Sequence, residues 1–378
     1  MGGGKQMKLG ILCTMINGFG RRGYYNSQEI GLGRALARKG HEVMIYKGID
    51  PSEKEEKVQV EKNLTIWYLP MKHLGAHGFM DCKYLDPQLK ALFCFGDQQI
   101  FLPHVYRWCR RRRIPFVAYV GTAHSLDSNF KSKVMNALFA AGTLRIYKKN
   151  PVLAKTSAAK EELRQLGVPH AVIAPVGLDT AVLKKNIPAD EKMRLRKEHG
   201  FEADDVILCN VSRLSWEKRP LELIDLFLQV KGKKKFKLII VGNGPLEEEL
   251  NEKIRKNGLE KEVKIYPNVP YEKMWEIYEM SDYYLNMNKG EIFGMAIMEA
   301  VYYKTSVAAI RALGPSVTLK DMKGHKLCEN DDEMAEWITG PYPSEKDLQE
   351  SSEKMAATFT WDRCADAFLQ ASSEKSSR

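Results

Sequence analysis

Two carboxylates eight positions apart, Glu291 and Glu299, flank the stretch I-F-G-M-A-I-M. Residues 292–301 read as a helix with Ile297, Ala300 and Val301 on an apolar face. On that reading the two acids lie about 12 Å apart along the axis, at roughly 1.5 Å of rise per residue. The amides of Phe293, Gly294 and Met295 then fall in the opening turn, without helix partners and aimed out of the helix end. Free amides and the positive end of the helix dipole suit an anion, phosphate above all. Gly294 has no Cβ, so a ligand can approach its backbone closely. One acid before the amides and one beyond them suits a long ligand with a phosphate centre and hydroxyls at both ends, the outline of a nucleotide sugar. Arg213 and Lys218, five apart, are two cations that can hold a diphosphate and stabilise charge as it leaves. Each feature alone has a plainer reading. Glu291 would be a helix-start charge, Glu299 a solvated one, and Arg213 and Lys218 a solvated surface pair.

The elements that must position these residues alternate between strand and helix. Residues 205–210 (DVILCN) form a strand that runs into V-S-R-L-S-W-E-K-R-P. Residues 237–241 (KLIIV) lead to a glycine turn at Gly242, and VKIY at 263–266 is followed by P-N-V-P, which puts Asn268 just past a strand's carboxyl end. The apolar run 283–287 is a buried strand ending at the N-M-N-K-G turn. In the first half, KLGILCT, the loop INGFGRRG, a helix over 25–39 and HEVMIYK open a Rossmann-type unit. The loop lacks G-x-G-x-x-G in its usual register, so dinucleotide binding is not supported. A strand is expected over 58–69, and an irregular aromatic loop over 70–87 bears His73, His77, Phe79 and Tyr84, the kind of loop that carries specificity. A helix from about 103 closes in Arg110, Arg111, Arg112 and Arg113, which oppose its dipole and also suit acidic headgroups. The strand at 114–120 ends in G-T-A-H-S. His124 therefore falls outside the carboxyl end of a strand, where ligands sit in open α/β sheets. Residues 184–200 read as a charged connection.

A chain of 378 residues with 44% hydrophobic residues suits two domains rather than one core. No uncharged apolar run reaches the ~18 residues that span a bilayer, and the first residues lack a signal-peptide profile. The seven cysteines are scattered without C-x-x-C, so neither a disulfide framework nor a zinc site is indicated, and the expected home is the cytoplasm. The net charge of +10 is uneven: residues 1–185 hold 29 lysines and arginines against 14 acids, and the remainder 29 against 34. The first half should meet something anionic. No nucleic-acid motif accompanies the charge, which better suits a phosphate-bearing lipid acceptor or an inner membrane face with peripheral attachment; the plainer alternative is a basic surface without a partner.

The stretch E-I-F-G-M-A-I-M-E-A resembles the E-x7-E signature of glycosyltransferase family 4, with Ile292 where the family has glycine. V-S-R-L-S-W-E-K-R-P is similar to its G-R-L-x-x-E-K-G element. P-V-G-L-D-T resembles its P-N-G-V-D-T turn, with Val176 for the asparagine, and F-T-W-D-R resembles its closing element. The matches fall in order over nearly the whole chain. The resemblance implies an α/β protein of the GT-B fold, two Rossmann-like domains facing across a cleft: 1–183 for the acceptor, 184–358 for the nucleotide sugar, and 359–378 a helix returning toward the first domain. It implies a retaining, metal-independent hexosyltransferase without cofactor, acting on a nucleotide-diphosphate sugar, UDP-sugar favoured, and a glycan or lipid-linked acceptor. Glu291 would orient sugar hydroxyls, Arg213 and Lys218 the leaving diphosphate, and Glu299 the ribose. His124 would face the donor sugar and Gly23 lie under its diphosphate. Two rivals remain: a nucleotide-sugar epimerase of the same fold, and a catalytically silent binding subunit.

Overall fold

A computed structural model describes residues 6–16, 27–123 and 130–373. The chain divides into two compact units. One takes the described residues up to Asp179 together with those from Phe359; the other is Thr180–Thr358.

The first unit is built on β1 (Lys8–Cys13), α1 (Gln28–Arg38), β2 (Glu42–Ile49), β3 (Glu56–Glu61), β4 (Leu64–Pro70), β5 (His73–Leu74), β6 (His77–Gly78), β7 (Ala91–Phe95), α2 (Leu102–Arg112), β8 (Phe116–Val120), α3 (Phe130–Ala141), α4 (Thr143–Tyr147), β9 (Val152–Ala154), α5 (Ser157–Gln165) and β10 (Val172–Ile173). Its main sheet runs β10-β9-β8-β7-β1-β2-β4-β3. All pairings are parallel except that of β3 with β4. β7 and β8 are buried at every position, because helices cover both faces of a parallel sheet and alternation is lost. The single strand expected over 58–69 is instead a hairpin. Lys62 and Asn63 turn the chain between β3 and β4, and the charged β3 guards the sheet edge. β5 and β6 pair as a minute hairpin within the expected irregular loop, and Phe79 stacks on His104 at 4.2 Å. The chain's closing helix, Trp361–Ser373, completes this unit. Trp361 and Phe368 are fully buried, Phe368 meets Phe93 edge-on at 5.2 Å, and Arg38 bridges Asp179 (3.0 Å) and Asp362 (3.1 Å).

The second unit comprises α6 (Glu191–Glu198), β11 (Val206–Val211), α7 (Pro220–Val230), β12 (Phe236–Val241), α8 (Glu247–Lys256), β13 (Val263–Tyr266), α9 (Met274–Met280), β14 (Tyr283–Asn286), α10 (Met295–Tyr302), β15 (Ser306–Ile310), α11 (Leu313–Thr318), β16 (Lys326–Cys328), α12 (Asp331–Thr339) and α13 (Glu345–Thr358). Its sheet, β13-β12-β11-β14-β15-β16, is parallel throughout. α6 packs on α9 rather than spanning a free connection. Arg196 donates to the Met280 carbonyl (3.0 Å) and pairs with Asp282 (2.6 Å), which Lys192 also reaches (2.8 Å). Among the described residues no helix is long and apolar enough to cross a membrane.

Candidate functional site

Four loops at carboxyl ends of strands in the second unit carry the candidate residues. The loop after β11 is stitched to the loop after β12. Ser212 N–H donates to Val241 O (3.0 Å), Leu214 N–H to Asn243 O (2.9 Å) and Leu246 N–H to Leu214 O (3.0 Å). Gly242 makes this possible: its φ is 140°, and a Cβ there would collide with the Ser212 carbonyl. Arg213, one residue on, is exposed. Asn243 Nδ2 donates to Asn268 Oδ1 (2.8 Å) and to Pro267 O (3.1 Å), which joins the loop after β13 to the same edge.

Lys218 closes a short 3-10 turn, Trp216–Lys218, ahead of α7. Its Nζ lies 2.8 Å from Glu291 Oε2. Glu291 sits in the turn after β14, whose shape is fixed by two asparagines. Asn286 Oδ1 accepts from Asn288 N–H (3.1 Å), Asn288 Oδ1 accepts from Gly290 N–H (2.9 Å), and Asn288 Nδ2 donates to Glu291 Oε2 (3.1 Å). Burial works against charge on Glu291, but the Lys218 ammonium, its hydrogen bond and those of Asn288 and Asn286 outweigh it and hold the carboxyl below its ordinary range. Tyr284, fully buried, is kept far above the usual phenol range by that burial first and by Glu291 second, with Glu299 contributing. The charges of both acids therefore bear on one neutral phenol.

The helix beyond Glu291 begins later than expected. α10 starts at Met295, because Gly294 at φ 84° caps it in a left-handed conformation. Glu291 thus lies in a loop, its carbonyl accepting from Gly314 N–H at 2.8 Å, and a separation of the acids along one helix axis does not apply. Phe293 and Gly294 belong to that loop. The first intrahelical bond is Met298 N–H to Gly294 O (3.2 Å), so the opening-turn amides are those of Met295, Ala296 and Ile297. Glu299, on the second turn, is buried and already engaged: Tyr278 donates to Oε2 (2.9 Å) and Tyr271 to Oε1 (3.3 Å). Tyr303 stacks on Tyr278 at 5.9 Å.

The structure thus joins Lys218 to Glu291, holds the Arg213 loop against Gly242, ties Asn268 to Asn243, and sets Phe293, Gly294 and Met295 at the start of the helix that bears Glu299. Gly23 and His124 lie outside the described residues. Sequence reasoning missed Tyr271, Tyr278, Asn286 and Asn288. It also passed over Arg219, which occupies a left-handed φ of 56° and is fastened to Asp331 by two hydrogen bonds (2.8 and 3.1 Å). Arg219 stands where the resembling motif has glycine, which was the available signal.

Two Rossmann-like α/β units, the second carrying this helix-start site, make a GT-B fold. Comparison with known proteins agrees. The family model "Glycosyl transferases group 1" matches residues 191–354. The D-inositol 3-phosphate glycosyltransferase of Xylanimonas cellulosilytica is 23% identical over 96% of this chain and 94% of its own length. Among solved structures, the sucrose-phosphate synthase of Thermosynechococcus elongatus aligns with a TM-score of 0.73 at 16% identity, over 98% of this chain and 99% of that one. HepE of Anabaena, solved in complex with UDP and glucose, aligns at 0.71 and 16% identity, over 97% and 100%. Together these matches support a glycosyltransferase of the GT-B fold.

Proposed function

We propose that the protein is a retaining hexosyltransferase that moves a sugar from a nucleotide-diphosphate donor, a UDP-sugar above others, to a hydroxyl of a glycan or lipid-linked acceptor. The observation that carries this reading is the Lys218–Glu291 pair, 2.8 Å apart, which ties the turn ahead of α7 to the turn that leads to α10. In the reaction the acceptor oxygen bonds to the anomeric carbon while the bond from that carbon to the diphosphate oxygen breaks. The acceptor's proton leaves with the diphosphate, whose growing charge is met by Lys218, Arg213 and the amides at the start of α10, without a metal ion. Each well-placed donor of this kind is worth about 3 kcal/mol of barrier. Glu291 orients sugar hydroxyls, and attack from the leaving-group side gives retention without an enzymic nucleophile. Gly242 and Asn268 border the donor, and Glu299 accepts from the ribose. A carboxylate has about four lone-pair sites, so ribose can share it with Tyr278 and displace the longer Tyr271 contact. Gly23 and His124 are assigned to the diphosphate and donor sugar on the family resemblance. HepE's complex with UDP and glucose supports the choice of base and sugar. The basic first half, including Arg110, Arg111, Arg112 and Arg113, fits peripheral attachment to an anionic inner membrane face.

A thermal-shift panel of UDP-, GDP- and ADP-sugars, followed by slow donor hydrolysis, tests the reading. One donor should stabilise the protein and release free sugar. Glu291→Ala should lower that release by at least about tenfold with folding intact. Binding of a donor without any turnover would identify a silent subunit instead.

A further inference from the structure

We propose that the outer face of α3 is a docking surface that enters the headgroup region of an anionic lipid bilayer. This rests on the membrane part of the reading above and assigns it to one element. α3 buries Met135 and Phe139 in the first unit, Phe139 lying 5.8 Å from the ring of Tyr147. The flank beside that buried face is also apolar and lies open: Phe130 is 82% exposed, Val134 42% and Leu138 48%. At spacings of four these three form one stripe along the helix, and exposed Ala137 and Ala141 extend it. A surface helix of a soluble domain turns polar residues outward, so an apolar arc that runs past the buried face into solvent calls for a second covering phase.

The charge around the stripe says what that phase is. Residues 127–149, the stretch of α3 and α4, contain five lysines and arginines and one acid, Asp127. Lys133 on α3, Arg145 on α4, and Lys148 and Lys149 just beyond it are all exposed, and α4 packs on α3. None of these four forms an ion pair with a described residue. An apolar helix face beside exposed cations that pair with no described residue matches a layer whose interior is hydrocarbon and whose surface is anionic. The helix is twelve residues long, too short to cross a bilayer and long enough to lie in its surface. Arg110, Arg111 and Arg112 at the end of α2, with Arg113 just beyond it, lack such an apolar stripe, and their role is electrostatic attraction at longer range.

The test is co-sedimentation of the full chain with phosphatidylcholine vesicles, with and without phosphatidylglycerol. It compares the wild type, the double variant Phe130→Ser/Leu138→Ser, and the double variant Arg110→Gln/Arg111→Gln. The wild type should sediment with the phosphatidylglycerol vesicles, and Phe130→Ser/Leu138→Ser should lose at least about tenfold in partition, the larger loss of the two. Its thermal midpoint and its donor hydrolysis in vesicle-free buffer should stay at wild-type level, because both side chains are exposed and neither is assigned to the donor. Wild-type binding that survives Phe130→Ser/Leu138→Ser overturns the assignment in favour of charge alone, and absence of wild-type binding overturns it outright. A wild-type dimer in solution that this variant converts to monomer overturns it too, since a second copy then covers the face. None of these outcomes touches the donor-hydrolysis result, so the transferase reading stands or falls separately.

Discussion

Replacing Lys218 by methionine separates the structural and chemical roles of the Lys218–Glu291 pair. The two side chains are 26% and 15% exposed. Breaking a fully buried pair typically costs about 3–5 kcal/mol and an exposed one about 0–1. At this intermediate exposure, with Asn288 still bonded to Glu291, the loss should be about 1–2 kcal/mol. For a unit of this size that lowers the thermal midpoint by roughly 2–8 °C. The gap has a defined pH dependence. Glu291 is held below the ordinary carboxylate range in the folded state, so the stability it contributes is present above that range and is lost as pH falls through the folded-state value. The midpoints of wild type and Lys218→Met should therefore converge in acid. A double-mutant cycle with Glu291→Gln isolates the coupling, and the double variant should regain most of the lost stability. Function should divide differently. If the ammonium moves to the diphosphate on binding, UDP should stabilise Glu291→Gln but not Lys218→Met, and donor hydrolysis by Lys218→Met should fall about 100-fold. A coupling below about 0.5 kcal/mol, within the scatter of independent sites, would refute the structural half. A full UDP shift in Lys218→Met would refute the chemical half.

Gly242→Ala places a methyl against the Ser212 carbonyl at a φ of 140°; chemical denaturation should show a loss of at least about 2 kcal/mol, and UDP should no longer shift the midpoint. Tyr278→Phe removes the 2.9 Å donor to Glu299 Oε2. Titration calorimetry should find UDP affinity about tenfold weaker, with stability down by about 1–3 kcal/mol. Burial pushes His325 down from 6.5 to about 4, so the native state keeps it neutral where the unfolded chain takes up a proton. Stability should then fall as pH drops from 6.5 through about 4, by up to about 3 kcal/mol. His325→Asn, which can still accept from Val307 N–H, should flatten that part of the urea-stability profile.

What was legible in the sequence follows from how locally each feature is encoded. The strands β7, β8, β11 and β14 stand out as apolar runs because parallel strands are buried on both faces. The start of α10 was displaced because Ile292 and Phe293 fit a helical apolar pattern, while the left-handed backbone of Gly294 leaves no mark on that pattern. Tyr278 and Tyr271 meet Glu299 across 21 and 28 positions, a pairing set by the packing of α9 and its preceding turn against α10, and nothing nearby in the chain signals it. α3 and α4 escaped notice for another reason. Phe130, Val134 and Leu138 adjoin Met135 and Phe139 in one broad apolar arc, so among the described side chains of α3 only Lys133 and Asn136 mark the polar face by which a surface helix is recognised.

The first unit is discontinuous along the chain: its last helix arrives only after all of Thr180–Thr358. On the ribosome, the second unit has its entire sequence before the first does, which inverts the usual amino-terminus-first order of domain folding. Until Trp361 and Phe368 emerge, the outer face of α1 and the neighbourhood of Phe93 have no lid, and the nascent chain carries that bare apolar surface through the synthesis of some 180 further residues. Expression of residues 180–358 alone should yield a soluble fragment, whereas a fragment ending at Asp179 should aggregate unless residues 359–373 are supplied in trans.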